Sequence, residues 1–229
     1  MIWESFNNVL DKLKGGLIVS CQALANEPLH SSFIMGRMAL AAKQGGAVGI
    51  RAQSQEDILE IEKNVELPII GIVKRNYPDS EIYITPTKKE IEELLGTRCE
   101  IIALDATSRQ RPNDEKMSDL VKMIHDHQRL AMADCSTYEE CVNAQKLGFD
   151  IVSTTLTGYT PYSHQLDHPD FALIKKLSDD LSTPVIAEGK IHTPEDLAKV
   201  FDCGAFAAVV GGAITRPQEI TARFVKALQ

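Results

Sequence analysis

The sequence predicts a (β/α)8 barrel, an α/β fold in a single domain spanning 1–229 with one extra helix at its N-terminus. Three observations carry this. The chain has 229 residues, within the roughly 200–250 that such barrels commonly take as one domain. Eight short β-branched runs (16–20, 47–52, 68–74, 100–107, 130–136, 151–155, 184–190 and 207–214) alternate with amphipathic stretches. Their starts fall 21 to 33 residues apart, room for one helix and two short loops. A doubly wound sheet is the rival architecture. It more often carries Gly-x-Gly-x-x-Gly after its first strand, which Ser20-Cys21-Gln22-Ala23 does not match.

Residues 3–14 form the opening helix, placed to cover the barrel floor. The strand interiors are continuously apolar rather than alternating, as in Ile69-Ile70-Gly71-Ile72-Val73 and Ala207-Ala208-Val209-Val210. That pattern marks strands buried on both faces, the condition of a parallel sheet covered by helices. Helical apolar spacing recurs over 54–64, 87–95, 137–147, 170–181, 193–202 and 217–228. Thr193-Pro194-Glu195-Asp196 offers an N-cap, a proline at the first helical position and early acids. Ser136-Thr137-Tyr138-Glu139-Glu140 has capping-box spacing from either hydroxyl residue. Gly148 and Gly204 sit where helices should end.

The charge balance limits the partners. Against 24 Lys and Arg stand 32 Asp and Glu, a formal net charge of −8. This argues against nucleic acid and anionic membrane as main partners, while leaving room for a local basic pocket that holds a small anion. The N-terminus has no basic stretch followed by a long apolar run, so no signal peptide is expected. No segment approaches the ~20 apolar residues of a membrane span. The five cysteines are scattered and none makes a Cys-x-x-Cys pair, which fits a reduced, cytoplasmic protein.

In this fold active sites lie at the C-terminal ends of the strands. The polar residues there are Ser20 and Gln22, Arg51, Lys74, Asp105, Asp134, Thr154 and Thr155, Glu188, and the Gly211-Gly212 pair. So many charges beside a hydrophobic barrel core are costly to desolvate unless they serve a site. Barrels often hold a phosphate between the loops after strands seven and eight. Here Gly189, Lys190, Gly211, Gly212 and Arg216 supply flexible backbone N–H groups and two cations. Lys74 follows four apolar residues, and both burial and Arg51 should lower its pKa. So tuned, it is a proton carrier or a Schiff-base nucleophile. Glu188 ends a strand half the ring away, so the pair can flank a substrate carbon from opposite faces. That suits removal of a proton α to a carbonyl and its return on the other side. The structural alternative is a Lys74–Glu188 salt bridge across the pore. Asp105 and Asp134 would fix substrate hydroxyls or orient Lys74, Thr155 would contact substrate, and Arg51 would neutralise an enolate oxygen.

Other features carry less. His164 and His168 stand four apart in a loop with no partner to complete a ligand set, so no metal is expected. Cys21 and Cys135 lie near strand ends without a histidine to activate them, and read as packing residues. His192 reads as a capping or loop residue. Thr157-Gly158-Tyr159-Thr160 is either a lid or a plain connection.

At these residues the chain resembles the N-acetylmannosamine-6-phosphate 2-epimerase family. The matching segments are Gly16–Ala23, Gly49–Ala52, Pro68–Lys74, Ile84–Thr87, Ala103–Thr107, Met132–Thr137, Thr155–Thr160, Ile186–Ile191 and Gly211–Pro217. Each is short; in order and at strand ends they are specific. The resemblance implies a cytoplasmic barrel, free of metal and cofactor, that interconverts N-acetylmannosamine 6-phosphate and N-acetylglucosamine 6-phosphate in sialic acid catabolism. It puts the catalytic lysine on Lys74 and the glutamate on Glu188. It puts sugar contacts on Gln22, Arg51 and Asp134, and phosphate contacts on 189–190 and 211–216. Apolar residues on outer helix faces lead to the expectation of a homodimer.

Two other readings have separate tests. Borohydride with substrate would trap Lys74 of a Schiff-base aldolase and leave an epimerase unlabelled. Solvent deuterium at C2 would exclude a sugar-phosphate sensor without turnover.

Overall fold

The computed structural model describes residues 2–228. Its eight strands are β1 (Leu17–Cys21), β2 (Gly49–Gln53), β3 (Ile69–Ile72), β4 (Ile101–Asp105), β5 (Leu130–Asp134), β6 (Ile151–Ser153), β7 (Val185–Glu188) and β8 (Ala207–Val210). Every neighbouring pair is parallel, and β1 pairs with β8, which closes the barrel. The helices are α1 (Ile2–Leu13), α2 (Ser32–Gln44), α3 (Gln55–Glu62), α4 (Lys88–Leu95), α5 (Met117–Asp126), α6 (Tyr138–Lys146), α7 (Phe171–Asp180), α8 (Pro194–Asp202), α9 (Gly212–Thr215) and α10 (Pro217–Lys226). The (β/α)8 expectation holds, with strand ends shifted by a few residues. Among the described residues no helix is long and apolar enough to cross a membrane.

Two hydrophobic layers explain the apolar strands. One side of each strand faces the covering helices, as Ile50, Ala52, Ile102 and Ala133 do. The other fills the barrel, where Ile18, Ile70, Ile101, Met132, Ile186 and Val209 meet. Side chains alternate along a strand, so the residue two beyond an inward apolar one also points inward. That rule carries Ser20, Lys74, Asp134 and Glu188 to the open top above Ile18, Ile72, Met132 and Ile186.

Strand β2 departs from the pattern. Its inward positions are Gly49 and Arg51, neither of them an apolar filler. The space is taken from below by α1, whose fully buried Leu13 joins the barrel interior. A Cβ on Gly49 would lie 2.6 Å from Leu13 Cδ2, so glycine is what admits the plug. The opening helix therefore covers the floor, as its position in the sequence predicts.

The caps follow the sequence. Thr137 and Thr193 are N-caps with full capping boxes, closed by Glu140 and Asp196. Gly148 and Gly204 follow α6 and α8 with φ of +86° and +93°, the left-handed geometry expected just past a helix. Helices α2 and α5 fill gaps in which the spacing predicts a helix without locating one. The eighth run, expected to stay extended through 214, ends at Val210. Gly211 breaks the strand, and Gly212–Thr215 turns into the short α9.

Candidate active site

A cavity of about 370 Å³ opens at the C-terminal mouth of the barrel. Lys74, Glu188, Arg51, Gln22 and Thr155 all line it. At its floor, Arg51 is 1% exposed and grips Asp134, which is fully buried. Nη1 donates to Asp134 Oδ1 at 3.0 Å and Nη2 to Oδ2 at 2.6 Å, a two-pronged pair. Nη1 also reaches Glu188 Oε2 at 3.0 Å. Arg51 Nε is buried without a partner. Burial works against the guanidinium, but Asp134 and Glu188 together hold its pKa above the usual arginine value.

Lys74 stands just beyond β3. The chain turns back there, so that Lys74 bridges Ile84 in an antiparallel contact and Thr85 N donates to Val73 O at 2.8 Å. Thr85 accepts a φ of +43° to make this return. Among the described residues the Lys74 ammonium makes no hydrogen bond or ion pair. Burial, and then the guanidinium groups of Arg51 and Arg216, push its pKa down to about 8. Glu188 shifts the opposite way. Burial, helped by the Asp134 carboxylate, pushes its carboxyl up to about 7 against the pull of Arg51, Thr155 and Lys74. An amine and a carboxylic acid thus face one cavity, each able to change protonation near neutral pH.

The far wall comes from the loops after β7 and β8. Gly189 and Lys190 both take left-handed backbone, with φ of +102° and +57°. The Lys190 ammonium donates to the Leu166 carbonyl in the β6–α7 loop and lies 5.5 Å from the Tyr159 ring centre. Gly158 in the β6–α7 loop takes a φ of +78°, left-handed backbone that favours glycine. Gly211, Gly212 and Ala213 at the start of α9 line the cavity, and Thr215 Oγ1 donates to Ser20 O at 2.8 Å, which ties the turn to β1. Arg216 donates from Nε and Nη2 to Glu27 Oε1 and Oε2, at 2.6 and 3.2 Å.

Ten of the twelve residues singled out from sequence line this cavity, and two do not. Asp134 lies beneath Arg51 and holds it. Asp105 is fully buried, accepting from Thr107 N at 3.0 Å, Thr107 Oγ1 at 2.6 Å and Arg109 Nη2 at 2.6 Å. The returning segment covers it, and Asp105 N donates to Ile84 O at 3.0 Å. That segment also brings Tyr83 and Ile84 into the wall, which sequence reasoning missed. Nothing in the strand pattern signals such a crossing; only the Ile84–Thr87 motif marks the segment. Glu27 was missed as well, since it lies in the β1–α2 loop far from any strand end. His192 lines the cavity while its backbone N–H donates to Asp196, the capping residue of α8. Cys21 and Cys135 are buried, and burial pushes the Cys21 thiol up to about 12, so neither is primed as a nucleophile.

Comparison with known proteins places this geometry. The family model described as "Putative N-acetylmannosamine-6-phosphate epimerase" matches residues 35–229. A protein of Clostridioides difficile (strain 630) named as such a 2-epimerase is 64% identical over 96% of this chain and 99% of its own length. A Clostridium perfringens (strain SM101 / Type A) protein of the same name is 66% identical over 96% of this chain and all of its own. The solved N-acetylmannosamine-6-phosphate 2-epimerase from Clostridium perfringens superposes with a TM-score of 0.94 at 66% identity, covering 95% of each chain. A thiamine phosphate pyrophosphorylase from Pyrococcus furiosus superposes at 0.60 with 16% identity, a likeness of fold alone. Residue pattern, barrel and relatives agree, and the chain belongs to the N-acetylmannosamine-6-phosphate epimerase family.

Proposed function

We propose that the protein interconverts N-acetylmannosamine 6-phosphate and N-acetylglucosamine 6-phosphate by taking the C2 proton from the open-chain aldehyde and returning it to the other face. The observation that carries this is that Lys74 and Glu188 line one cavity, where burial pushes the amine down to about 8 and the carboxyl up to about 7. The neutral amine of Lys74 takes the proton. The enolate oxygen gains from the cationic surroundings of Lys74 and Arg51. The protonated carboxyl of Glu188 returns a proton opposite, leaving a carboxylate beside the new ammonium. Lys190, Arg216, Gly189 and the Gly211-Gly212 turn form the phosphate seat, with Gln22 on the sugar.

Supporting context is consistent. The relatives are named for this reaction, which belongs to amino-sugar catabolism. All five cysteines are free thiols and four are buried, which suits a reducing, cytoplasmic setting. Residues 1–229 act as one barrel domain. Phe224 and Val225 of α10 and Leu228 just beyond it are exposed, apolar surface suited to pairing two copies into a homodimer.

The test is incubation with N-acetylmannosamine 6-phosphate in D2O, followed by proton NMR. Loss of the C2 proton signal together with appearance of the C2 epimer is expected. Epimer formation with full retention of the C2 proton would overturn the mechanism.

A further inference from the structure

Asp134 Oδ1 and Glu188 Oε2 share their donors. Both accept from Arg51 Nη1, each at 3.0 Å. Both also lie within reach of the Thr155 hydroxyl, at 2.7 and 3.0 Å. A third neighbour, Ser153 Oγ, is 2.8 Å from the same hydroxyl. A threonine hydroxyl has one proton to give and two lone pairs to receive with. With Ser153 donating to it, its own proton has two carboxylate oxygens to choose between.

Charge decides the choice, because a hydrogen bond to an ionised oxygen is about twice as strong as one to a neutral oxygen. The two carboxylates are not equally supported. Asp134 Oδ2 has Arg51 Nη2 to itself at 2.6 Å. Glu188 Oε1 has no hydrogen-bond partner among the described residues. An ionised Glu188 is therefore the needier acceptor, and a protonated one has a free oxygen on which to carry its proton.

We propose that Thr155 is a positioning residue for Glu188 and not a sugar contact: its hydroxyl turns to Glu188 Oε2 when that carboxyl is ionised and to Asp134 Oδ1 when Glu188 is protonated on Oε1. The change is a rotation about the Cβ–Oγ bond, with no covalent bond made or broken. It rests on the reading of Glu188 as the proton carrier and revises the substrate contact given to Thr155 above. The other charged or titratable groups facing Glu188 are Arg51 from β2, Asp134 from β5, Lys74 beyond β3 and Tyr159 from the β6–α7 loop. Arg51 is locked on Asp134 by two bonds, whereas the Thr155 hydroxyl is free to turn. Burial holds Glu188 near 7, so both arrangements are populated at neutral pH.

The test is a 13C NMR titration of the Glu188 carboxyl in protein labelled at glutamate, with the resonance assigned through Glu188→Gln. Thr155→Val keeps the shape and removes the hydroxyl. Its Glu188 midpoint should rise by about one pH unit, the size of one hydrogen bond to a charged group. Thr155→Ser should restore the midpoint, and the break of kcat/KM against pH that Glu188 governs should move with it while KM stays unchanged. Thr155→Ala, with folding checked by circular dichroism, serves as a second variant lacking the hydroxyl. A midpoint unmoved in both hydroxyl-free variants overturns the proposal, as does a Thr155→Ser midpoint equal to that of Thr155→Val. A raised KM with an unmoved midpoint restores Thr155 to the sugar. Full turnover in Glu188→Gln would instead overturn Glu188 as proton carrier, and the carboxyl titration would still decide the role of Thr155.

Discussion

Lys74 is half-buried, with two guanidinium groups acting on it, and that setting makes it a base rather than a surface cation. Its removal in Lys74→Ala should lower kcat by about 10²–10⁴-fold, the usual loss for a general base, with little change in apparent affinity. Steady-state rates at saturating substrate check this. With Lys74 near 8 and Glu188 near 7, kcat/KM should be highest between about pH 7 and 8. Below that window the amine is protonated; above it the carboxyl has lost its proton. A rate profile from about pH 5 to about pH 10, roughly two units past each midpoint, measures both limbs. Asp134 carries a different kind of prediction. Removing it in Asp134→Ala leaves the Arg51 guanidinium with only Glu188 as a charged partner, and breaking a buried pair this way costs about 3–5 kcal/mol, readable by urea denaturation. The strand-end residues were legible because alternation puts every second side chain toward the barrel axis. Asp105 obeys that rule and still misses the cavity, because Tyr83 and Ile84 fold over it, and a fold-back has no local signature.

At the scale of elements, capping chemistry made several boundaries readable. Thr137 and Thr193 each meet their acidic partner three residues on, and glycines follow α6 and α8 in left-handed geometry. Helix α2 was harder to place: Gly36 interrupts it, and its Ser31 N-cap makes no side-chain hydrogen bond. Helix α9 was read as strand because Ala213 and Ile214 extend an apolar run that only the paired glycines interrupt. Helix α1 offers the element-scale prediction. Leu13 fills space that Gly49 leaves open, so Leu13→Ala should destabilise the fold by about 2–5 kcal/mol through an unfilled cavity. The reaction centre sits at the opposite end of the barrel, so kcat should hold at temperatures where the variant stays folded. Thermal unfolding and activity on one sample separate the two effects.

For the whole molecule, closure of eight parallel strands joins at one mouth residues 195 positions apart in the chain, Thr215 Oγ1 donating to Ser20 O. Count and spacing predicted that closure, since parallel neighbours need crossovers of a dozen or more residues and each gap supplies one. Assembly was only indirectly legible, because a helix face left apolar does not say what meets it. The apolar outer face of α10, with Phe224 at 75% exposure, predicts a dimer by sedimentation, and Phe224→Asp should shift it toward monomer. The pairing of Arg216 with Glu27 reaches further. The proposed phosphate seat already holds a carboxylate from the same chain, so an arriving dianion competes with Glu27 for Arg216. Its capture is worth the difference between two ion pairs rather than the whole of one.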